Sequence, residues 1–125
     1  MAVDVNHVES HLGKDLLLDA RAPQRFRGEA EPIDPVAGHI PGALNRNNSD
    51  NLAGGTFKQP QELRKEFLVV LGNRASGEVV NYCGSGVSAC HNALAMEVAG
   101  LAGSRLYPGS WSEWIADPSR PQEKG

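Results

Sequence analysis

The chain has 125 residues, 40% of them hydrophobic, which suits a single domain with its own core rather than a scaffold held by disulfides or metal. Twelve basic against fifteen acidic residues give a net charge of -3, so bulk charge marks neither a nucleic-acid nor an anionic-membrane partner. Its apolar runs fall short of the roughly 18 residues that span a bilayer, Met1-Ala2-Val3-Asp4 is not a basic-then-apolar leader, and two cysteines are no disulfide framework. The expectation is a soluble protein of the reducing cytoplasm.

In chain order, apolar residues at Val5, Val8 and Leu12 predict a short amphipathic helix stopped at Gly13. Leu16-Leu17-Leu18 predicts a buried strand that delivers Asp19-Ala20-Arg21 at its C-terminal end. Arg25, Phe26 and Arg27 follow in a short helical turn. The prolines and glycines between Glu31 and Gly42 break regular structure and lead to a short strand at Ala43-Leu44. Asn45 to Gln59 reads as a polar surface loop, and Pro60 opens a helix with Leu63, Phe67, Val70 and Leu71 on one face. Glu78 to Cys83 predicts a second buried strand. Val87, Cys90, Leu94 and Val98 then predict the core stripe of the next helix, with Cys90 buried in it. Arg105-Leu106-Tyr107 is a third strand, and Gly109-Ser110 caps a helix from Trp111 to Ile115. Residues 1–117 form the domain and 118–125 a mobile C-terminal tail. Strands alternating with helices at this spacing predict an α/β fold, a largely parallel sheet flanked by helices on both faces.

The chemistry is placed at Cys83-Gly84-Ser85-Gly86-Val87-Ser88-Ala89, between the second buried strand and the apolar helix. Glycines and serines after the cysteine let the backbone curl, so that peptide N–H groups and a helix N-terminus face its sulfur. Such a nest favours an anion, a thiolate or a persulfide. In a parallel sheet the strand ends carrying Asp19-Ala20-Arg21 and Cys83 open on one mouth. Arg21 and Arg25 then offer cationic forks to a small anionic substrate. The other reading of Arg21 is an ion pair with Asp19.

Four segments carry a family resemblance: Asp19-Ala20-Arg21 through Arg25-Phe26-Arg27-Gly28, Gly38-His39-Ile40-Pro41-Gly42-Ala43, Cys83 to Ala89, and Gly109-Ser110-Trp111-Ser112-Glu113-Trp114. In order and spacing they resemble the catalytic C-terminal domain of the two-domain rhodanese family, the thiosulfate and 3-mercaptopyruvate sulfurtransferases. The resemblance implies a rhodanese-like domain in which Cys83 accepts a sulfane sulfur as a persulfide and passes it to cyanide or a thiol. It implies a small anionic donor bound by Arg21, Arg25 and the loop residues Gly84, Ser85, Gly86, Val87 and Ser88. Ser85 would assist proton transfer and Asp19 would orient Arg21. It implies no metal or organic cofactor, and a second rhodanese-like domain as partner. The uncharged loop resembles the mercaptopyruvate branch. That branch, however, places another carboxylate-binding arginine about where Ile33 and Asp34 stand.

Two other chemistries share parts of this pattern. Gly84 to Ala89 fits G-x-G-x-x-A, but a dinucleotide fold requires an acidic residue near Tyr107-Pro108-Gly109. A Cys-x5-Arg phosphatase requires arginine where Ala89 stands. A non-catalytic interaction module is the remaining alternative. His7 and His11, at i and i+4 with no third ligand nearby in sequence, are expected on a solvated helix face. His39 is expected to bond backbone.

Overall fold

The computed structural model describes residues 2–84 and 87–125, with only the backbone of Val87. Its regular elements in chain order are α1 (Val5–Ser10), β1 (Leu16–Asp19), α2 (Pro23–Phe26), β2 (Leu44–Asn45), β3 (Leu52–Ala53), β4 (Thr56–Phe57), α3 (Pro60–Leu71), β5 (Val79–Tyr82), α4 (Val87–Val98), β6 (Arg105–Leu106) and α5 (Ser110–Trp114). Short 3₁₀ turns cover Asn48–Asn51 and Ser76–Glu78.

Among the described residues, four parallel strands form the main sheet in the order β2-β1-β5-β6. The register sets Leu16 beside Val79 and Asp19 beside Tyr82, so β1 and β5 end level with each other. Every residue of these two strands is buried, which explains why they read as unbroken apolar runs. The side chains nevertheless alternate between faces. Leu16, Leu18 and Val79 meet Leu63, Phe67 and Leu71 of α3 and Ala95, Met96 and Ala99 near α4. Leu17, Val80 and Tyr82 meet Val8 of α1, Ile40, and Trp111 and Trp114 of α5. Helices thus cover both faces, as the alternation of elements requires. Burying each large side chain on these faces contributes about 1.5–3 kcal/mol relative to exposure.

Two elements differ from the sequence reading. On α4 the buried residues are Ala89, Asn92, Ala95 and Met96, whereas Cys90 is exposed, Leu94 is 54% exposed and Val98 37%. The inward face of the helix lies about 160° round the axis, almost opposite, from the stripe expected at Val87, Cys90, Leu94 and Val98; the side chain of Val87 lies outside the described residues. The reason is close packing: alanines let α4 approach the sheet. Asn92 is drawn inward because its Nδ2 donates to the Arg46 carbonyl at 2.9 Å and its Oδ1 accepts from Asn51 Nδ2 at 2.7 Å. The expected loop at Asn45–Gln59 holds the β3–β4 hairpin, turned by Gly54 and Gly55 at φ 61 and 85. Two adjacent positive φ values are what a two-residue hairpin turn demands, and glycine meets them without strain.

The segment after Pro118 is anchored at its end. Glu123 pairs with His39, the Gly125 N–H donates to the Arg27 carbonyl at 2.9 Å, and Trp114 Nε1 donates to the Pro121 carbonyl at 2.8 Å. Gly38, at φ 125, faces the Glu123 carbonyl so closely that a β-carbon would collide with it.

Candidate active site

The strand order reverses direction beside β1: the chain passes from β1 outward to β2 and later returns on the other side as β5. The segments leaving β1 and β5 therefore diverge and open a crevice at the C-terminal edge of the sheet. Cys83 follows β5 directly into this crevice and is 2% exposed. Its main chain is held at both ends. The Cys83 N–H donates to Ser110 Oγ at 3.0 Å, and the Trp111 N–H donates to the Cys83 carbonyl at 2.9 Å. Ser110 Oγ donates a hydrogen bond to the Tyr107 carbonyl at 2.9 Å, and Ser110 has φ 56, a left-handed conformation that serine adopts at a cost.

Arg21 is turned inward. Its Nε and Nη2 meet the Asp19 carboxylate at 3.1 and 2.8 Å, Nη2 also donates to the Gly38 carbonyl at 2.6 Å, and Nη1 meets Glu31 at 3.2 Å. Its guanidinium lies over the Trp111 ring, 5.1 Å from the centroid. Burial disfavours the Arg21 charge, but hydrogen bonds and charge from Asp19 outweigh it and hold its pKa above the ordinary arginine value. Arg25 is the more open of the two, with 19% side-chain exposure against 1%. It pairs with Glu31 at 3.0 Å and Asp34 at 3.5 Å. Glu31 organises this wall by accepting the N–H groups of Ile33 and Asp34 at 3.1 and 3.0 Å. Burial pushes the Glu31 pKa up, yet those N–H donors and Arg25 carry it below the ordinary glutamate value.

A cavity of about 280 Å³ lies in the crevice, lined by Cys83, Gly84 and Ser88 on one side and by Arg21, Arg25 and Asp34 on another. Cys83, Arg21, Arg25, Gly84 and Ser88 thus line one cavity, but the guanidinium of Arg21 is held by its ion pair with Asp19, the other reading of that residue, rather than offered as an open fork. Asp19, fully buried behind Arg21, does not line the cavity. Ser85, Gly86 and the side chain of Val87 lie outside the described residues. Ile33, Asp34, Asn48 and Ser112 also line the cavity, and sequence reasoning gave them no role in chemistry. Ser112 lies within a recognised motif, so its nearness to the loop was detectable. Asp34 reaches the cavity only because Glu31 folds the preceding turn, and no local pattern announces that.

His7 and His11 do have a third polar neighbour. His7 Nε2 lies 2.9 Å from Asp15 Oδ2, and the two imidazoles stack at 4.0 Å. Arg105 also joins them, with Nη2 2.9 Å from Asp15 Oδ1 and Nη1 3.1 Å from His7 Nε2. His39 bonds backbone as expected, its Nδ1 donating to the Phe26 carbonyl at 2.7 Å. Among the described residues, no helix is long and apolar enough to cross a membrane.

Comparison with known proteins agrees with this layout. Residues 4–117 match the model of the rhodanese-like domain. The chain belongs to the rhodanese-like domain family. Over its full length it is 52% identical to a Pseudomonas aeruginosa protein named "Probable 3-mercaptopyruvate sulfurtransferase", covering 45% of that relative. It is 42% identical to the human 3-mercaptopyruvate sulfurtransferase over 86% of this chain and 36% of the relative. Among solved structures, the Leishmania major 3-mercaptopyruvate sulfurtransferase superposes with a TM-score of 0.79 at 30% identity, over 96% of this chain and 33% of that one. This rhodanese-like chain therefore spans less than half the length of the curated relatives it matches.

Proposed function

We propose that this rhodanese-like chain is a sulfurtransferase domain that carries a sulfane sulfur as a persulfide on Cys83. The observation that carries the reading is the position of Cys83, at the switch point of the sheet, on a cavity shared with the guanidinium of Arg25. Thiosulfate and 3-mercaptopyruvate are the two donors, each a small anion. With thiosulfate, the Cys83 thiolate attacks the outer sulfur, the S–S bond of the donor breaks, and sulfite leaves with the electron pair. Cyanide or a thiol then attacks the outer persulfide sulfur and returns the Cys83 thiolate.

Arg25 meets the anionic end of the donor, and a bound anion competes with Glu31 and Asp34 for its fork. Asp19 and Glu31 hold Arg21, which braces the Gly38 turn. On the family resemblance, Ser85 and the peptide N–H groups of residues 84 to 88 serve the anionic forms of the sulfur. A second rhodanese-like domain is the proposed partner that completes the cleft, supported by the greater length of the relatives.

The test is intact-mass measurement of wild-type and Cys83→Ala protein after each donor, then cyanide with detection of thiocyanate. One added sulfur on wild type alone, released as thiocyanate, is the expected result. The absence of an adduct from either donor on folded, reduced protein would leave a binding module or an incomplete domain.

A further inference from the structure

The cavity wall carries a hydrogen-bonded pair, Asp34 and Ser112, for which sulfur transfer from thiosulfate has no use. Ser112 Oγ lies 2.9 Å from Asp34 Oδ1 and 2.8 Å from the Gly84 carbonyl. The Ser112 N–H donates to the same carbonyl at 2.9 Å, which fixes the serine there. A hydroxyl has one proton, and here it faces two acceptors. While Asp34 is ionised, one of the two close oxygen pairs has no proton between its atoms. A proton arriving on Asp34 fills that gap: the carboxyl donates to Ser112 Oγ, and Ser112 donates to the Gly84 carbonyl. Asp34 is the one carboxyl group among the described residues lining the cavity, and its side chain is 9% exposed. Arg25 Nη2 lies 3.5 Å from Oδ2.

We infer that Asp34 and Ser112 form a proton relay, and that it serves donors whose sulfur is bonded to carbon. The inference rests on the reading of Cys83 as the sulfur carrier. With an α-mercapto ketone donor, such as 3-mercaptopyruvate, the thiolate of Cys83 attacks the donor sulfur. The S–S bond forms, the donor S–C bond breaks, and its electron pair passes to the methylene carbon as an enolate. Sulfur is oxidised as that carbon is reduced. The relay takes the donor S–H proton and returns a proton to the carbon, leaving the Cys83 persulfide anion and a methyl ketone. Atoms and charge balance without an external oxidant. Thiosulfate needs no such proton, because sulfite leaves as an anion.

Single-turnover rates of persulfide formation with 3-mercaptopyruvate and with thiosulfate, measured across pH on wild type, Asp34→Asn and Ser112→Ala, test the relay. General acid–base catalysis contributes about 10²–10⁴-fold. The 3-mercaptopyruvate rate relative to the thiosulfate rate is therefore expected to fall at least about tenfold in Asp34→Asn, and to fall less in Ser112→Ala. The pH dependence of the 3-mercaptopyruvate rate should also flatten in Asp34→Asn, a change that a merely structural role would not produce. Circular dichroism establishes that each variant is folded, and an unfolded Asp34→Asn leaves Ser112→Ala to decide. Equal slowing with both donors overturns the relay but leaves the sulfurtransferase reading intact. A wild type that accepts sulfur from thiosulfate alone also overturns the relay. A wild type that accepts sulfur from neither donor overturns both.

Discussion

The guanidinium of Arg25 rests so close to Gly84 that a β-carbon on residue 84 would fall 3.2 Å from Nη2 and 3.7 Å from Nη1. The residue after the cysteine is therefore small because an arginine occupies the space beside it. Gly84→Ala is expected to fold, since the neighbour is the far end of a flexible side chain, and to displace Arg25 from the cavity wall. Donor titrations should show half-saturation rising severalfold while the thermal midpoint moves little. An unchanged donor titration would remove Arg25 from the binding role.

Arg21 should behave differently from Arg25. Its guanidinium is buried and answers two carboxylates and a carbonyl. Arg21→Ala leaves Asp19 as an uncompensated buried charge, while Glu31 keeps Arg25, and breaking such a buried pair from one side costs about 3–5 kcal/mol. Urea unfolding should record that loss. Arg25→Ala, at the more open site, should lose less stability and more donor affinity.

The pH dependence of stability follows from Glu31. Burial raises its pKa, but the Asp34 N–H and Arg25 hydrogen bonds outweigh burial and leave the folded value below the ordinary one of 4.5. A depressed folded pKa stabilises above the unfolded pKa, and that contribution is lost as pH falls through the folded value. Glu31→Gln should therefore be less stable than wild type at pH 7, with the gap closing well below pH 4.5. Urea melts at both pH values measure it. A gap that persists undiminished in acid would contradict the ion-pair account.

Ile33 is 75% exposed at the cavity rim, where the mercaptopyruvate branch is expected to carry an arginine. Because nothing in the core depends on it, Ile33→Arg should leave stability within about 0.5 kcal/mol of wild type. It should raise the rate with 3-mercaptopyruvate relative to thiosulfate, since a second fork at the rim can hold the carboxylate. An unchanged donor ratio would show that the rim does not select the donor.

Much of this arrangement was legible in the sequence, for identifiable reasons. Leu16 to Leu18 and Glu78 to Cys83 announce central parallel strands because both faces of those strands are covered. The motif segments then place Cys83, Arg21 and Arg25 at one edge. The α4 face departs from the apolar pattern because Ala89, Ala95 and Asn92 face inward by virtue of small size or hydrogen bonding, which a stripe of large apolar side chains does not mark. The hairpin at Gly54-Gly55 went unseen because its strands are two residues long and read as polar loop. Asp34 and Ser112 meet across 78 positions of chain, a distance that local pattern does not cross.

The restraint of Cys83 through its own peptide groups has a consequence for repeated use. A carrier that is loaded and emptied in each cycle changes volume and charge at its tip. Here the contacts of the carrier to Ser110 and Trp111 are made through its N–H and its carbonyl, and neither uses the sulfur. On the proposed cycle neither has to be broken and remade, so the skeleton serves as a stationary mount, and the work of each turnover falls on side chains and solvent.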